Sequence, residues 1–150
     1  MSLSCRKIDC DSPAHAAMVD LRDRILRKPI GLHVTPEEIA RDLGDYLLGC
    51  YDGDTLVGCL ILHKDAHGGV KMRQVAVDNT RQGQGIGAFM LHAAQDIVRG
   101  WGFGAMYCHA RETARAFYAQ NGWVVTSDTF DENGIPHCRM ERALEQTAAV

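Results

Sequence analysis

The sequence lacks any apolar run approaching the length of a membrane span. Its first residues, MSLSCRKIDCDSP, lack the apolar core of a secretory signal. Cys5, Cys10, Cys50, Cys59, Cys108 and Cys138 are scattered, with no Cys-x-x-Cys pair. Several sit in apolar, strand-like runs where a free thiol behaves as a small hydrophobe. A cytoplasmic protein with reduced cysteines is therefore expected. Excess positive charge is missing too. A net charge of −3 sets nucleic acid aside as the main partner, a local basic patch apart. No repeat, linker or low-complexity segment is visible. The 150 residues suit one domain, residues 1–145, with a real core and a tail, Gln146–Val150, expected to fray. No metal is expected, because His63 and His67 lie on a strand-to-turn stretch and share no helical face.

What is present is organised around Val70–Gly87, VKMRQVAVDNTRQGQGIG. Val70, Met72, Val75 and Val77 are β-prone, and Asp78, Asn79 and Thr80 break the run with turn formers. Gly83, Gly85 and Gly87 leave alternate positions without a Cβ. From Ile86 a helix is predicted with Phe89, Met90, Ala93, Ala94 and Ile97 on its buried face. Bare N–H groups at a helix start, with the macrodipole behind them, form an anion site. A phosphate-bearing ligand over Gly83–Gly87 is the first inference.

Around this stretch the chain reads as strands and helices in a fixed order. Leu3–Asp9 is a first strand. Ser12-Pro13 caps a helix to about Arg27, and Pro29–Val34 forms a loop. Thr35-Pro36-Glu37-Glu38 is a capping box that starts a second, short helix. Tyr46–Tyr51 and Thr55–Leu62 make a hairpin across Asp52-Gly53-Asp54, leading into the strand Val70–Val77. After the long helix, Gly104–His109 is a strand reached by a right-handed parallel crossover. A short helix carries Ala114, Phe117 and Tyr118, and Trp123–Phe130 with His137–Glu141 closes the chain as a hairpin. The fold class is α/β (α+β): one domain with a mixed central sheet of about six to seven strands flanked by helices.

The glycine turn admits three readings. A lone cluster can be simple tight packing at a helix start. Gly83-x-Gly85-x-x-Ala88 also fits a dinucleotide fingerprint, yet the next strand ends in His-Ala-Arg where an acidic residue is required. The Gly-Lys-Ser/Thr of the Walker loop is absent. Third, Gln82-x-x-Gly85-x-Gly87, with Arg81, Gly83 and the preceding Val75-Ala76-Val77, resembles the GNAT superfamily of acyl-CoA-dependent acyltransferases. The likeness runs from Leu3 to Leu144. His109-Ala110-Arg111, Phe117-Tyr118, Gly122-Trp123 and Phe130-x-Glu132-x-Gly134-Ile135-Pro136-His137-x-x-Met140 resemble its small bacterial ElaA/YjcF-like subgroup.

The resemblance implies an N-acetyltransferase that moves an acetyl group from acetyl-CoA to a small-molecule or amino-acid-like amine by direct attack. It implies CoA pyrophosphate over Gln82, Gly83, Gln84, Gly85, Ile86 and Gly87, with Arg81 adding a charge-assisted contact. The pantetheine arm would pair with Val75, Ala76 and Val77, and the Val75 amide would face the thioester oxygen. Phe117 and Arg111 would flank the donor, although many relatives carry Asn at the Arg111 position. Tyr118 matches the residue that protonates the departing thiolate. Several relatives have a Glu base where this chain has Arg73. His109 is the first candidate base here and His137 the second, with an ordered water or a structural role for either histidine left open; His137 is also a candidate on the acceptor side. Arg73 is read two ways: as binding an anionic acceptor, or as a salt bridge to an Asp or Glu of the first two helices, such as Glu37 or Glu38. The other function class is a CoA-binding sensor that has lost turnover. A homodimer stays open.

Overall fold

In the computed structural model, which describes residues 1–145, β1 (Leu3–Ile8) lies antiparallel to β2 (Tyr46–Asp52), and β2 to β3 (Thr55–Lys64). The turn between β2 and β3 is the one the sequence asks for, with Gly53 at φ +60°. β4 (Val70–Val77) and β5 (Ala105–Arg111) are parallel, Lys71 opposite Tyr107 and Met72 opposite Cys108. β8 (Ile135–Ala143) runs antiparallel to β5 and carries β6 (Val124–Val125) and β7 (Phe130–Glu132). The sheet order is β1-β2-β3-β4-β5-β8-β6, with β7 also on β8.

That makes eight strands where six to seven were expected. The excess comes from Trp123–Phe130, where one expected strand is replaced by the two short strands β6 and β7. Asn133 and Gly134, at φ +56° and +76°, close β7 onto β8 in a two-residue turn. The predicted frayed tail, Gln146–Val150, lies outside the described residues. Among the described residues no helix is long and apolar enough to cross a membrane.

The chain forms two compact units. The first comprises Met1–His63 and Arg73–Ala94. Its helix α1 (Pro13–Arg22) starts where Ser12 Oγ accepts the His15 N–H at 3.1 Å. One wider π turn, Asp23–Arg27, and a 3-10 turn, Lys28–Ile30, extend it into the predicted loop. α2 (Pro36–Arg41) carries the predicted capping box, with Thr35 and Glu38 serving each other's backbone N–H. Ile8, Met18, Leu21, Leu47, Cys59, Ile61 and Ala76 form the core of this unit. A Cβ on Gly58 would sit 2.7 Å from Met90 Sδ, so glycine allows α3 (Ile86–Gly100) to approach β3 closely.

The buried stripe of α3 differs from the prediction. Ile86, Met90, Leu91, Ala94 and Val98 are buried, whereas Phe89 is exposed. Two apolar stripes overlap in this sequence, and Leu91 with Val98 turns the helix away from Phe89.

The second unit comprises Lys64–Met72 and the chain from Gln95 onward. Along β5 and β8, Met106, Cys108, Ala110, Cys138 and Met140 are buried. Tyr107, His109 and Arg139 alternate with them on the other, half-buried face. α4 (Arg115–Gln120) buries Tyr118, followed by the buried Trp123.

Candidate active site

The glycine turn is built by local hydrogen bonding. Asp78 accepts from Thr80 N and Oγ1 at 3.0 and 2.8 Å, which ends β4 in a tight turn. Gln82 Nε2 reaches back to the Val77 carbonyl at 3.3 Å. Gly83 and Gly85 hold φ values of +79° and +84°, and a Cβ built on either meets no protein atom within 4 Å. The first N–H groups of α3 have no partner within the helix. Together these give an exposed backbone seat for an anion, bare of side chains at both glycines. Arg81 is the departure. Its Nη1 donates to Asp52 Oδ2 at 2.7 Å, so its charge is already met by the turn between β2 and β3.

β4 is interrupted one residue before Val75. Gln74 has φ +55°, in the left-handed region, a conformation that strand alternation cannot foresee. Its amide is held at both ends. Oε1 accepts from Arg22 Nε at 3.4 Å, and Nε2 donates to Glu38 Oε2 at 3.2 Å. Glu38 also accepts from Arg27 at 3.0 Å. Burial would push the Glu38 carboxyl up, but Arg27, the Thr35 N–H and Gln74 outweigh it and hold it low. Arg22 is 1% exposed and donates to Asp42 at 2.7 Å, and His15 Nε2 lies 2.9 Å from the same carboxylate. Asp42 is 0% exposed, and among the described residues its Oδ1 has no hydrogen-bond partner. A buried polar chain thus runs from α1 and α2 to the kink in β4.

Arg73 lies beside that kink. Its partner is neither Glu37 nor Glu38 but Asp45, whose Oδ2 accepts from Nη2 at 2.7 Å. His63 Nδ1 meets the other Asp45 oxygen at 2.7 Å. Of the two readings of Arg73, the ion pair with a carboxylate of its own chain is the one formed here.

In the second unit, Tyr118 packs edge-on against Phe117 and Trp123, with ring centroids 5.3 and 5.4 Å away. Burial, with a smaller push from Cys108, raises its phenol well above the ordinary tyrosine range. The phenol thus stays protonated across the working pH. Arg111 ends β5 opposite His137. His109 Nδ1 is 3.0 Å from Glu132 Oε1, and Glu132 Oε2 is 3.5 Å from His137 Nε2. The Phe130 ring lies edge-on to His109 and stacked on His137. Among the described residues no group of three or more His, Cys, Asp or Glu could hold a metal ion.

Residues 25–144 match the family model described as an acetyltransferase (GNAT) domain. The chain belongs to the GNAT acetyltransferase family. Its fold is that of solved GNAT structures. A putative N-acetyltransferase from Lactobacillus plantarum superposes with TM-score 0.83 at 25% identity, covering 97% of this chain and 100% of that one. Escherichia coli ElaA gives 0.74 at 19% identity, over 93% and 99% of the two chains. An aminoglycoside 6'-N-acetyltransferase complexed with coenzyme A gives 0.81 at 15%, over 97% and 99%. The Bacillus subtilis (strain 168) protein YyaT, itself uncharacterised, is 24% identical over 76 residues, so this chain matches about half the length of that curated relative (51%). Membership of the GNAT family supports acyltransferase activity.

Sequence reasoning missed Gln74, Asp45 and Glu132. Gln74 carries no turn signal, and Asp45 pairs with a residue 28 positions away. Glu132 alone could have been found, since it lies inside the Phe130–Met140 block that carried the subgroup resemblance.

Proposed function

We propose that this GNAT chain is an acetyl-CoA-dependent N-acetyltransferase of the ElaA/YjcF-like kind, acting in the cytoplasm on the amine of a small molecule. One observation carries the reading: a backbone anion seat with open glycines at Gly83 and Gly85 directly follows a strand kinked at Gln74. The seat suits a pyrophosphate, held by the N–H groups of Gln82–Gly87 more than by Arg81. Past the kink, Val75, Ala76 and Val77 pair with the amides of the pantetheine arm. The Val75 N–H donates to the thioester oxygen as it gains charge.

In the reaction the amine nitrogen attacks the thioester carbon and the carbon–sulfur bond breaks. Tyr118, kept protonated by burial, supplies the proton to the thiolate, beside Phe117. Arg111 flanks the donor. Arg73 supports the acceptor region through Asp45 and His63 rather than by binding an anionic acceptor. Six free cysteines agree with a reducing compartment.

Calorimetry with CoA and acetyl-CoA, followed by CoA release over a panel of amines, tests the proposal. Binding in the micromolar range with amine-dependent release is expected. Binding without release for any amine would leave a sensor and reject the transferase. Absence of CoA binding would reject both.

A further inference from the structure

Glu132 stands between two histidines on the half-buried face of β5, β7 and β8. His137 donates Nδ1–H to the Ile135 carbonyl at 2.8 Å, which leaves its Nε2 directed at Glu132 Oε2 at 3.5 Å. On the other side His109 Nδ1 lies 3.0 Å from Oε1. A carboxylate has no proton to give, so the short contact needs Nδ1–H on His109 and leaves the lone pair of the neutral ring on Nε2. Phe130, with its ring centroid 5.0 Å from that of His109, restrains the ring further.

We propose that Glu132 is a positioning residue that fixes His109 as its Nδ1–H tautomer and so presents Nε2 to the acceptor's ammonium as proton acceptor. This rests on the amine-acyltransferase reading above. Burial would push Glu132 up, but the His109 hydrogen bond and the charges of His109, His137 and Lys71 hold it below its ordinary value. The other groups facing the pair are Tyr107 on β5 and Arg139 on β8, whose guanidinium lies 3.8 Å from the Tyr107 ring centroid.

The step balances. One N–H proton of the ammonium passes to His109 Nε2, and the freed nitrogen pair forms the bond to the thioester carbon. The carbon–sulfur bond breaks, and its electron pair leaves on sulfur, which takes the phenol proton. The attacking nitrogen gives up its second proton as the amide forms, which restores Tyr118. The imidazolium then returns its proton to solvent.

Glu132→Gln removes the charge with little change of shape at a half-exposed site, so the fold should survive. Ring 15N shifts of the wild-type chain should show His109 as Nδ1–H when neutral, and Glu132→Gln should move it toward Nε2–H. With acetyl-CoA and the best amine of the panel, Glu132→Gln should lower kcat about 10- to 100-fold, as loss of an orienting partner does. CoA affinity and the acceptor KM should stay within about twofold. His109→Gln should lower kcat at least as far. An Nε2–H tautomer in the wild type, or a tautomer and kcat unmoved by Glu132→Gln, overturns the proposal, as does full activity in His109→Gln. A wild type with the Nδ1–H tautomer that releases no CoA with any amine overturns the proposed function instead, and the base role with it.

Discussion

Arg73 and Asp45, 28 residues apart, close a 2.7 Å ion pair, and Asp45 is 4% exposed at its side chain. The carboxylate also faces His63, so its removal strands two partners at once. Asp45→Ala should cost about 2 kcal/mol, the range for leaving a charged hydrogen-bonding group without its partner. Chemical denaturation measures it. Arg73→Lys keeps the charge and loses the planar fork. It should lower stability and leave the acceptor KM unchanged. A raised acceptor KM with unchanged stability would restore the anionic-acceptor reading of Arg73.

Arg22 and Asp42 offer a sharper test of burial. Both side chains are within 1% of full burial. Arg22→Met leaves the Asp42 charge with His15 as its side-chain partner among the described residues, and Asp42→Leu leaves Arg22 with Gln74. Each single change should cost about 3 to 5 kcal/mol. The double variant replaces a charge pair by apolar groups and should lose much less than the sum. Additive losses in urea melts would mean the pair contributes nothing as a unit.

Local chemistry was legible in the chain; long-range pairing was not. The Thr35 capping box, the Asp52–Asp54 turn and the glycine turn are written within a few residues, and each forms as read. Gln74 at φ +55° is held by Arg22 and Glu38, 52 and 36 positions away, so no local pattern announces it. The phase of α3 is not written locally because Phe89 and Leu91 are both large and apolar, and only packing decides that Leu91 is the buried one. Of the candidate site, the exposed glycine turn is readable because its positive φ values at Gly83 and Gly85 need glycine. The commitments of Arg73 and Arg81 to Asp45 and Asp52 were not, because a charge says nothing of its partner until the chain is folded.

The anion seat predicts a loss that strain cannot explain. Gly85→Asp adds a Cβ at φ +84°, which costs about 1 kcal/mol of backbone strain, and places a carboxylate where phosphate would lie. CoA affinity should fall about 100-fold or more, roughly 2.7 kcal/mol. Gly102→Ala is the control, at φ +91° and also with nothing within 4 Å of its Cβ. It should carry the strain and keep CoA affinity. Equal CoA affinity in both variants by calorimetry would remove the seat.

Asp65 predicts a pH dependence. The Tyr107 hydroxyl, then the N–H groups of Gly69 and His67, bind its carboxylate and lower its pKa from 3.8 to about 2. A lowered folded-state value contributes stability above the unfolded value that is lost as pH falls through the folded one. The window is therefore pH 4 down to 2. Tyr107→Phe removes the first donor, at 2.7 Å. It should be less stable than the wild type at pH 6, and the gap should narrow toward pH 2. A gap of constant size would mean that the hydroxyl acts through packing alone.

Tyr118 carries the last prediction. Its ring is fixed between Phe117 and Trp123, and the phenol stays protonated because burial disfavours the phenolate. Tyr118→Phe removes the hydroxyl and leaves the two ring contacts in place. Because a thiolate is a fair leaving group, the loss in kcat should be modest, about 10- to 100-fold. CoA affinity should be near normal, and the melting temperature within about 2 °C, since no ring contact is lost. If the hydroxyl were a structural tether, the melting temperature would fall and turnover per folded molecule would hold. Release kinetics separate the two further. A proton donor to sulfur matters most for poor leaving groups, so a donor role predicts that oxygen-ester analogues of acetyl-CoA suffer more from Tyr118→Phe than the thioester does. An equal penalty on both would assign the phenol to packing.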